Sequence, residues 1–194
     1  MRQRIANLTS RVLNPFVVSL AAILLLSLKS ASTVPDALKW SGVMAAISVL
    51  PVFLMVLNQT RNGKLNGILN ATRQQRSGIY LLSIACAAVG YVILFWWQAP
   101  ALLQVAFLGG FSSAVVFAVI NLRWKISLHT GFVSALAVVL VMLYGWVASA
   151  AAALVLLTAW SRIKLRHHSI KEVIAGALLG GLIVVTVFKV SGLY

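Results

Sequence analysis

Long apolar segments separated by short polar ones dominate this sequence and limit what it can fold into. A helix needs about 20 apolar residues to cross a bilayer, and several of the segments approach that length. Their approximate ranges are 14–30, 38–57, 78–98, 101–122, 130–145, 147–160 and 173–190. Only 9% of the residues are charged, whereas soluble domains have about 25%, so the sequence predicts an integral membrane protein.

The fifth and sixth apolar segments decide the number of spans. One unbroken helix over 130–160 would be about 46 Å long, which is too long for a single span without strong tilt. We therefore favour a hairpin that turns near Gly145 and gives seven spans, with six as the alternative. The predicted fold class is an all-α integral membrane protein, a bundle of six to seven transmembrane helices. No repeat or linker divides residues 1–194, so we expect a single domain.

Two prolines and two glycines predict local features of these helices. Pro51 lies inside the second apolar segment and Pro100 between the third and fourth, so they are expected to kink or punctuate helices. Gly176 and Gly180 are four residues apart in the last segment. They share one helix face and allow another helix to approach closely.

The excess of basic residues predicts how the protein lies in the membrane. A formal net charge of +14 would suggest nucleic acid in a soluble protein, but most of these charges lie between apolar segments. We therefore expect membrane lipids as partners and no nucleic acid. All but three of the sixteen Lys and Arg residues fall on one side of the seven-span arrangement, the exceptions being Lys29, Lys39 and Lys189. By the positive-inside rule, the richer side is predicted to be cytoplasmic.

Three polar segments, 59–77, 123–129 and 161–172, interrupt the apolar pattern. Two apolar segments separate each of them from the next, so all three are predicted to emerge at the same membrane face. That face is the richly basic one. We therefore expect an active site there, built from distant parts of the chain.

The third polar segment carries the strongest indication of chemistry. It contains Ser161, Arg162, His168 and Glu172, which supply a hydroxyl, a guanidinium, an imidazole and a carboxylate. Glu172 is one of only two acidic residues, and it follows His168 by four positions, so a helix would bring both to one face. The carboxylate is expected to hold one imidazole nitrogen and leave the other to attack phosphorus. It is also expected to stabilise the helix N-terminus.

The other two polar segments add groups suited to a phosphate. The first contains Lys64, Arg73 and Arg76, and the second contains Ser127 and His129. Arginine binds phosphate through paired hydrogen bonds, and fixed donors stabilise the charge that develops in the transition state. Together the three segments favour a phosphatase.

The third segment resembles a signature of the type 2 phosphatidic acid phosphatase superfamily, which includes membrane lipid phosphatases and vanadium haloperoxidases. That signature is Ser-Arg, five residues, His, three residues and Asp. Ser161, Arg162, His168 and Glu172 match the spacing, with Glu in place of Asp. The helical frame fits the family from the second span onward.

The family's other two signatures are represented in part. Its second signature is Pro-Ser-Gly-His, of which Ser127 and His129 are present. Its first is Lys, six residues and Arg-Pro, whereas here eight residues separate Lys64 from Arg73 and no proline follows. The stretch from Lys64 to Arg76 is similar to that of a divergent subgroup with a second arginine.

The resemblance implies a phosphohistidine mechanism. His168 would attack the phosphoryl group, Glu172 would orient and support its imidazolium, and His129 would protonate the leaving group and then activate water. His167 has no position in the signature and is assigned to lipid headgroups. The phosphoryl oxygens would be held by Lys64, Arg73, Arg76, Ser127, Ser161 and Arg162.

Such an enzyme would hydrolyse a lipid phosphate, either an isoprenyl or polyprenyl diphosphate or a phosphatidate-type lipid. A cytoplasmic site would favour a biosynthetic intermediate, whereas an outward-facing site would favour recycling of a polyprenyl carrier. Membrane enzymes that use Mg²⁺ need clustered acids. Asp36 and Glu172 are predicted on opposite faces, so no metal or other cofactor is expected. The oligomeric state is left open, a homo-oligomer included.

Two other functions are compatible with the same residues. One is a non-catalytic transporter or binding protein for anionic lipids, in which the cations hold headgroups without chemistry. Against it, transporters usually place polar residues near the bilayer midplane and often contain repeats, and neither feature is visible here. The other is an inactive member of the family, which the substituted first and second signatures would permit.

Overall fold

The regular secondary structure in the described part of the chain is helical. The computed structural model describes residues 1–65 and 72–193, and within those ranges it contains no strand. A π-helical turn at Ala45–Val49 joins α3 to α4, and a 3₁₀ turn at Trp146–Ala151 precedes α8. The α-helices are α1 Arg2–Val12, α2 Pro15–Ser30, α3 Val34–Met44, α4 Leu50–Arg61, α5 Arg76–Trp96, α6 Ala101–Asn121, α7 Leu128–Tyr144, α8 Ala152–Lys164 and α9 Ile170–Val190.

Within residues 1–65 and 72–193, five helical stretches are long and apolar enough to cross a membrane, and a sixth is added if α1 and α2, which are bent at their junction, form one span. The five are Val34–Arg61, Arg76–Trp96, Ala101–Asn121, Trp146–Lys164 and Ile170–Val190. The predicted all-helical architecture is thereby confirmed for the described residues, and the five to six candidate spans are compatible with a multi-pass membrane protein. Helix α7 is apolar but has only 17 residues, so a seventh span would need this shorter helix to cross as well.

The chain divides into two compact units. The α7–α9 unit contains Met1–Val18 and Lys125–Gly192, and thus holds α1, α7, α8 and α9. The α3–α6 unit contains Ser19–Trp124 together with Leu193. The expectation of a single domain stays a prediction.

Glycines bring α7 and α9 into close contact within the α7–α9 unit. A Cβ built at Gly176 would overlap the carbonyl oxygen of Ser127, and one built at Gly180 would overlap that of Gly131. The predicted role of these two glycines is therefore confirmed. Residue numbers rise in the same direction on both sides of this contact, so the two helices are parallel and their N-termini lie at the same end.

Helix α1 packs on α8 through a narrow face. Its buried residues are Ala6, Thr9 and Ser10, while the rest of the helix is exposed. The Ser161 hydroxyl of α8 donates a hydrogen bond to the Ala6 carbonyl oxygen at 2.7 Å. The hydropathy pattern did not predict this helix, because its sequence is polar and rich in arginine.

The two prolines of the α3–α6 unit have different effects. Pro100 is the N-cap residue of α6 and lies between α5 and α6, so it separates two helices as predicted. Pro51 is the second residue of α4, and only Leu50 separates it from the π-helical turn Ala45–Val49. Proline lacks an N–H and cannot join the regular hydrogen-bond ladder, and the wider π turn accommodates that loss. Val34–Arg61 continues across this point as one helical stretch of 28 residues.

Candidate functional site

The N-terminus of α9 is fixed by a capping box. The Ser169 hydroxyl accepts a hydrogen bond from the Glu172 backbone N–H at 3.4 Å, and Glu172 Oε2 accepts one from the Ser169 N–H at 3.2 Å. Such reciprocal bonds satisfy two N–H groups that have no partner inside the helix. The first turn of α9 therefore holds the Glu172 carboxylate in one orientation.

The same carboxylate oxygen also binds the neighbouring imidazole. His168 Nδ1 lies 2.7 Å from Glu172 Oε2, and the His168 side chain is 0% exposed while that of Glu172 is 21% exposed. The expected pairing at four-residue spacing is confirmed, as is the dual contact of Glu172 with the helix end and the histidine. When the Glu172 carboxylate is ionised it can only accept, so Nδ1 then donates the proton of this bond, and a neutral ring carries its lone pair on Nε2.

Helix α7 brings the second polar segment to this end of the unit. Ser127 caps α7 by accepting a hydrogen bond from the Thr130 N–H at 3.4 Å, and His129, only 5% exposed, lies in the first turn. The Ser127 N–H in turn donates to the Glu172 carbonyl oxygen at 3.1 Å. That bond joins the first turns of α7 and α9, so Ser127 and His129 lie at the same end as His168 and Glu172.

Arg162 lies in the last turn of α8, and His167 and His168 follow in the connection to α9. Arg166 adopts a left-handed conformation with φ of 54°, the Arg166 N–H donates to the Ile163 carbonyl, and the His167 N–H donates to the Arg162 carbonyl at 3.0 Å. This is the Schellman arrangement that ends many helices. The His168 N–H also reaches the Arg162 carbonyl at 3.4 Å, so the helix end and the buried imidazole are directly connected.

Arg162 is fully buried, with 0% exposure, in the last turn of α8. Its Nη1 donates a hydrogen bond to the Ser10 hydroxyl of α1 at 2.8 Å. Ser161 is also fully buried, and its hydroxyl donates a hydrogen bond to the Ala6 carbonyl oxygen of α1. The contact of Ser161 with phosphate stays a prediction.

The pKa of His167 reflects its burial and the positive charges near it. Burial lowers the pKa of the His167 imidazole, and the positive charges of Arg162 and Lys125 lower it further. Its buried Nδ1 has no hydrogen-bond partner among the described residues. Lys125 was not among the candidate site residues, although its position two residues before Ser127 is a signal that could have found it.

The first polar segment belongs to the α3–α6 unit. The Lys64 carbonyl accepts a hydrogen bond from Gln75 Nε2 at 2.7 Å, and the Lys64 side chain is exposed. Arg73 Nη1 donates to the Leu122 carbonyl, while Arg76 is buried at the start of α5. Residues 66–71 of this segment lie outside the described residues. The convergence of Lys64, Arg73 and Arg76 on the histidines stays a prediction.

Within the α7–α9 unit, the arrangement combines three chemical capabilities. A buried imidazole with its proton fixed on Nδ1 can act as a nucleophile or a base through Nε2. A second imidazole lies at the same end. The N-termini of two parallel helices and the charges of Arg162 and Lys125 favour an anion.

Among the described residues, no group of three or more His, Cys, Asp or Glu side chains comes together as a metal site would require. The chain was also compared with known proteins. It matches no protein-family model, no curated protein and no solved structure.

Proposed function

We propose that this protein is a metal-independent membrane phosphatase that hydrolyses the phosphate or diphosphate group of a lipid. The observation that carries the proposal is the pairing of the buried His168 imidazole with the partly exposed Glu172 carboxylate, 2.7 Å apart, between the end of α8 that holds Arg162 and the first turn of α9. A buried imidazole braced by a carboxylate suits attack on a phosphoryl group, and the buried Arg162, whose carbonyl accepts from the His168 N–H, supplies a positive charge from the preceding helix end. The four residues Ser161, Arg162, His168 and Glu172 keep the spacing of the type 2 phosphatidic acid phosphatase signature.

The proposed reaction has two steps. In the first, the lone pair of His168 Nε2 forms a bond to phosphorus while the bond from phosphorus to the leaving oxygen breaks, and His129 gives that oxygen a proton. Glu172 stabilises the positive charge that develops on the imidazole. In the second, water attacks phosphorus and gives a proton to His129 while the bond from phosphorus to His168 Nε2 breaks, which returns the lone pair to the imidazole and releases inorganic phosphate.

The lipid and its phosphate are expected to occupy different surroundings. The phosphate meets Arg162 and the first turns of α7 and α9, with Lys64, Arg73, Arg76, Ser127 and Ser161 as further proposed contacts. The apolar chain lies along the exposed apolar surface of the helices. This division explains why a chain with 61% hydrophobic residues would carry such a site. Isoprenyl or polyprenyl diphosphates and phosphatidate-type lipids are the proposed substrates.

The test is release of inorganic phosphate by the purified protein in EDTA from a panel of lipid phosphates. We expect turnover by wild type and a loss of at least about three orders of magnitude in His168→Ala, since the covalent route is removed. His167→Ala is the matched control, because it removes the adjacent imidazole and leaves the pair with Glu172 intact. Its activity should stay within severalfold of wild type.

The results separate this proposal from its alternatives. Phosphate release that survives in His168→Ala and disappears in His167→Ala would move the nucleophile to His167. A wild type that binds lipid phosphates without releasing phosphate would favour a binding protein, transporter or inactive relative. The cationic surroundings of His167 would then serve headgroup binding alone.

A further inference from the structure

Helix α1 carries none of the residues of the proposed mechanism, yet it reaches the last turn of α8. Two successive residues of α8, Ser161 and Arg162, form hydrogen bonds to Ala6 and Ser10 of α1. These partners are 155 and 152 residues away in the sequence. The two bonds are one helical turn apart on α1, so they fix α1 along the axis of α8 as well as against it.

The bond between Ser10 and Arg162 lies in a protected environment. Ser10 is 2% exposed and Arg162 is 0% exposed, and Nη1 to Oγ is 2.8 Å. Water cannot readily replace either partner there. A hydrogen bond from a buried charged donor is about twice as strong as a bond between neutral groups.

The shape of the guanidinium turns this single bond into a constraint on the whole group. Guanidinium is planar, with five N–H donors in a rigid fork. Fixing Nη1 therefore limits the directions in which the other N–H groups can point. A carboxylate in place of the serine would neutralise the charge, whereas a hydroxyl holds the group without neutralising it.

We propose that Ser10 is a positioning residue that holds the Arg162 guanidinium in the orientation needed to bind a phosphate group. This inference rests on the proposed phosphate site. It makes α1 part of the construction of that site, although α1 supplies no group that touches the substrate. Ser10 acts only through Arg162.

The test measures binding of inorganic phosphate to the full-length protein in detergent by isothermal titration calorimetry. We expect Ser10→Ala to weaken phosphate binding about tenfold, because the guanidinium loses its fixed partner. Ser10→Thr keeps the hydroxyl and should recover most of the affinity. Thr9→Ala removes a neighbouring hydroxyl from the same buried face of α1 and should bind phosphate like wild type.

A double-mutant cycle separates positioning from general destabilisation. If Ser10 acts through Arg162, Ser10→Ala should have no further effect on phosphate affinity in an Arg162→Gln background. Equal losses in both backgrounds, or unchanged affinity in Ser10→Ala, would overturn the inference. The melting temperature of each variant shows whether α1 remains docked.

The experiment also distinguishes this inference from the proposed function. A wild type that binds phosphate but releases none from any lipid would overturn the phosphatase proposal, while the affinities of the variants would still decide the role of Ser10. A wild type that does not bind phosphate at all would overturn the positioning role. Lipid hydrolysis that falls in His168→Ala and is unaffected in Ser10→Ala would support the enzyme and reject Ser10.

Discussion

At the scale of single residues, one carboxylate oxygen performs two tasks. Glu172 Oε2 accepts the Ser169 N–H of the capping box and also binds His168 Nδ1. Glutamate three residues after the serine N-cap is the typical capping-box residue, which gives a physical reason for glutamate at this position. The helix end thus orients the group that orients the histidine.

Substitutions can separate those two tasks. Glu172→Gln keeps the size of the side chain but loses the negative charge, so phosphate release should fall about 100-fold or more as support for the imidazolium is lost. Ser169→Ala removes the cap and should lower the free energy of unfolding by about 1 kcal/mol while most activity stays. Phosphate release and thermal melting of both variants check this. Full activity in Glu172→Gln would contradict the role of the charge.

His167 provides a prediction of pH dependence. Its pKa in the folded protein is below the ordinary value of 6.5, because burial and the charges of Arg162 and Lys125 disfavour the protonated ring. As the pH falls below about 6.5, the unfolded chain takes up a proton that the folded protein does not, so stability is lost with acidification.

Melting temperatures of wild type and His167→Gln between pH 5 and pH 8 would measure this effect. Relative to the variant, wild type should be steady at neutral pH and become progressively less stable in acid. A difference between the two proteins that does not change with pH would refute the assignment.

At the scale of elements, the contact between α7 and α9 decides whether the two histidine-bearing turns meet. The Ser127 N–H donates to the Glu172 carbonyl, and Gly176 and Gly180 let the backbones touch below that bond. Both sides of the contact are backbone, which cannot move aside as a flexible side chain can. The spacing of the turns therefore depends on the absence of a Cβ.

Gly176→Ala tests that dependence. The added methyl group would collide with the Ser127 carbonyl, so we expect a loss of about 1 to 3 kcal/mol in stability together with reduced phosphate release. Gly110→Ala in α6 is the control, because a Cβ there meets no atom within 4 Å. The melting temperature and activity of this variant should be unchanged or slightly higher than those of wild type. Equal stability and equal phosphate release in the two variants would contradict a tight contact between α7 and α9.

Some elements could be predicted from the sequence and others could not. Apolar length alone gave helices close to α5, α6 and α9, and the spacing of Gly176 and Gly180 gave the helix contact. Helix α1 was missed because its stability comes from docking on α8 rather than from an apolar pattern. The bond from Arg162 to Ser10 joins residues 152 positions apart, and no local signal marks it.

In the candidate site, too, some features could be predicted from the sequence and others could not. The spacing of His168 and Glu172 was sufficient to predict their contact, although His168 precedes the N-cap Ser169 and the capping box, rather than a continuous helix, sets the geometry of the pair. Lys125 was missed because its proximity to His167 depends on how α7 meets the end of α8, which is a matter of tertiary packing. Arg166 in a left-handed conformation was also unexpected, since glycine is the usual residue there.

At the scale of the whole molecule, the excess of basic residues predicts the orientation in the membrane. Within the α7–α9 unit, Lys164 lies at the end that carries His168, and the exposed Ser149 lies in the turn between α7 and α8. Helix α7 connects the two ends. A cysteine in place of Lys164 and a cysteine in place of Ser149 should therefore be labelled from opposite sides of the membrane.

We expect Lys164→Cys to be protected from a membrane-impermeant thiol reagent in intact cells and Ser149→Cys to react, with Cys86 replaced by alanine in both proteins. This follows from the positive-inside rule, which assigns the richly basic side to the cytoplasm. The reverse pattern would place the proposed site outside the cell. The proposed substrates would then shift from biosynthetic intermediates to a recycled polyprenyl carrier.

The glycine contact between α7 and α9 also limits how a lipid could reach the proposed site. Where Gly176 and Gly180 meet the backbone of α7, the interface leaves no room even for a methyl group. An acyl or prenyl chain therefore cannot slide between these two helices. A membrane-dissolved substrate must approach around another side of the unit, and photo-crosslinkable lipid analogues should label residues there instead of along this seam.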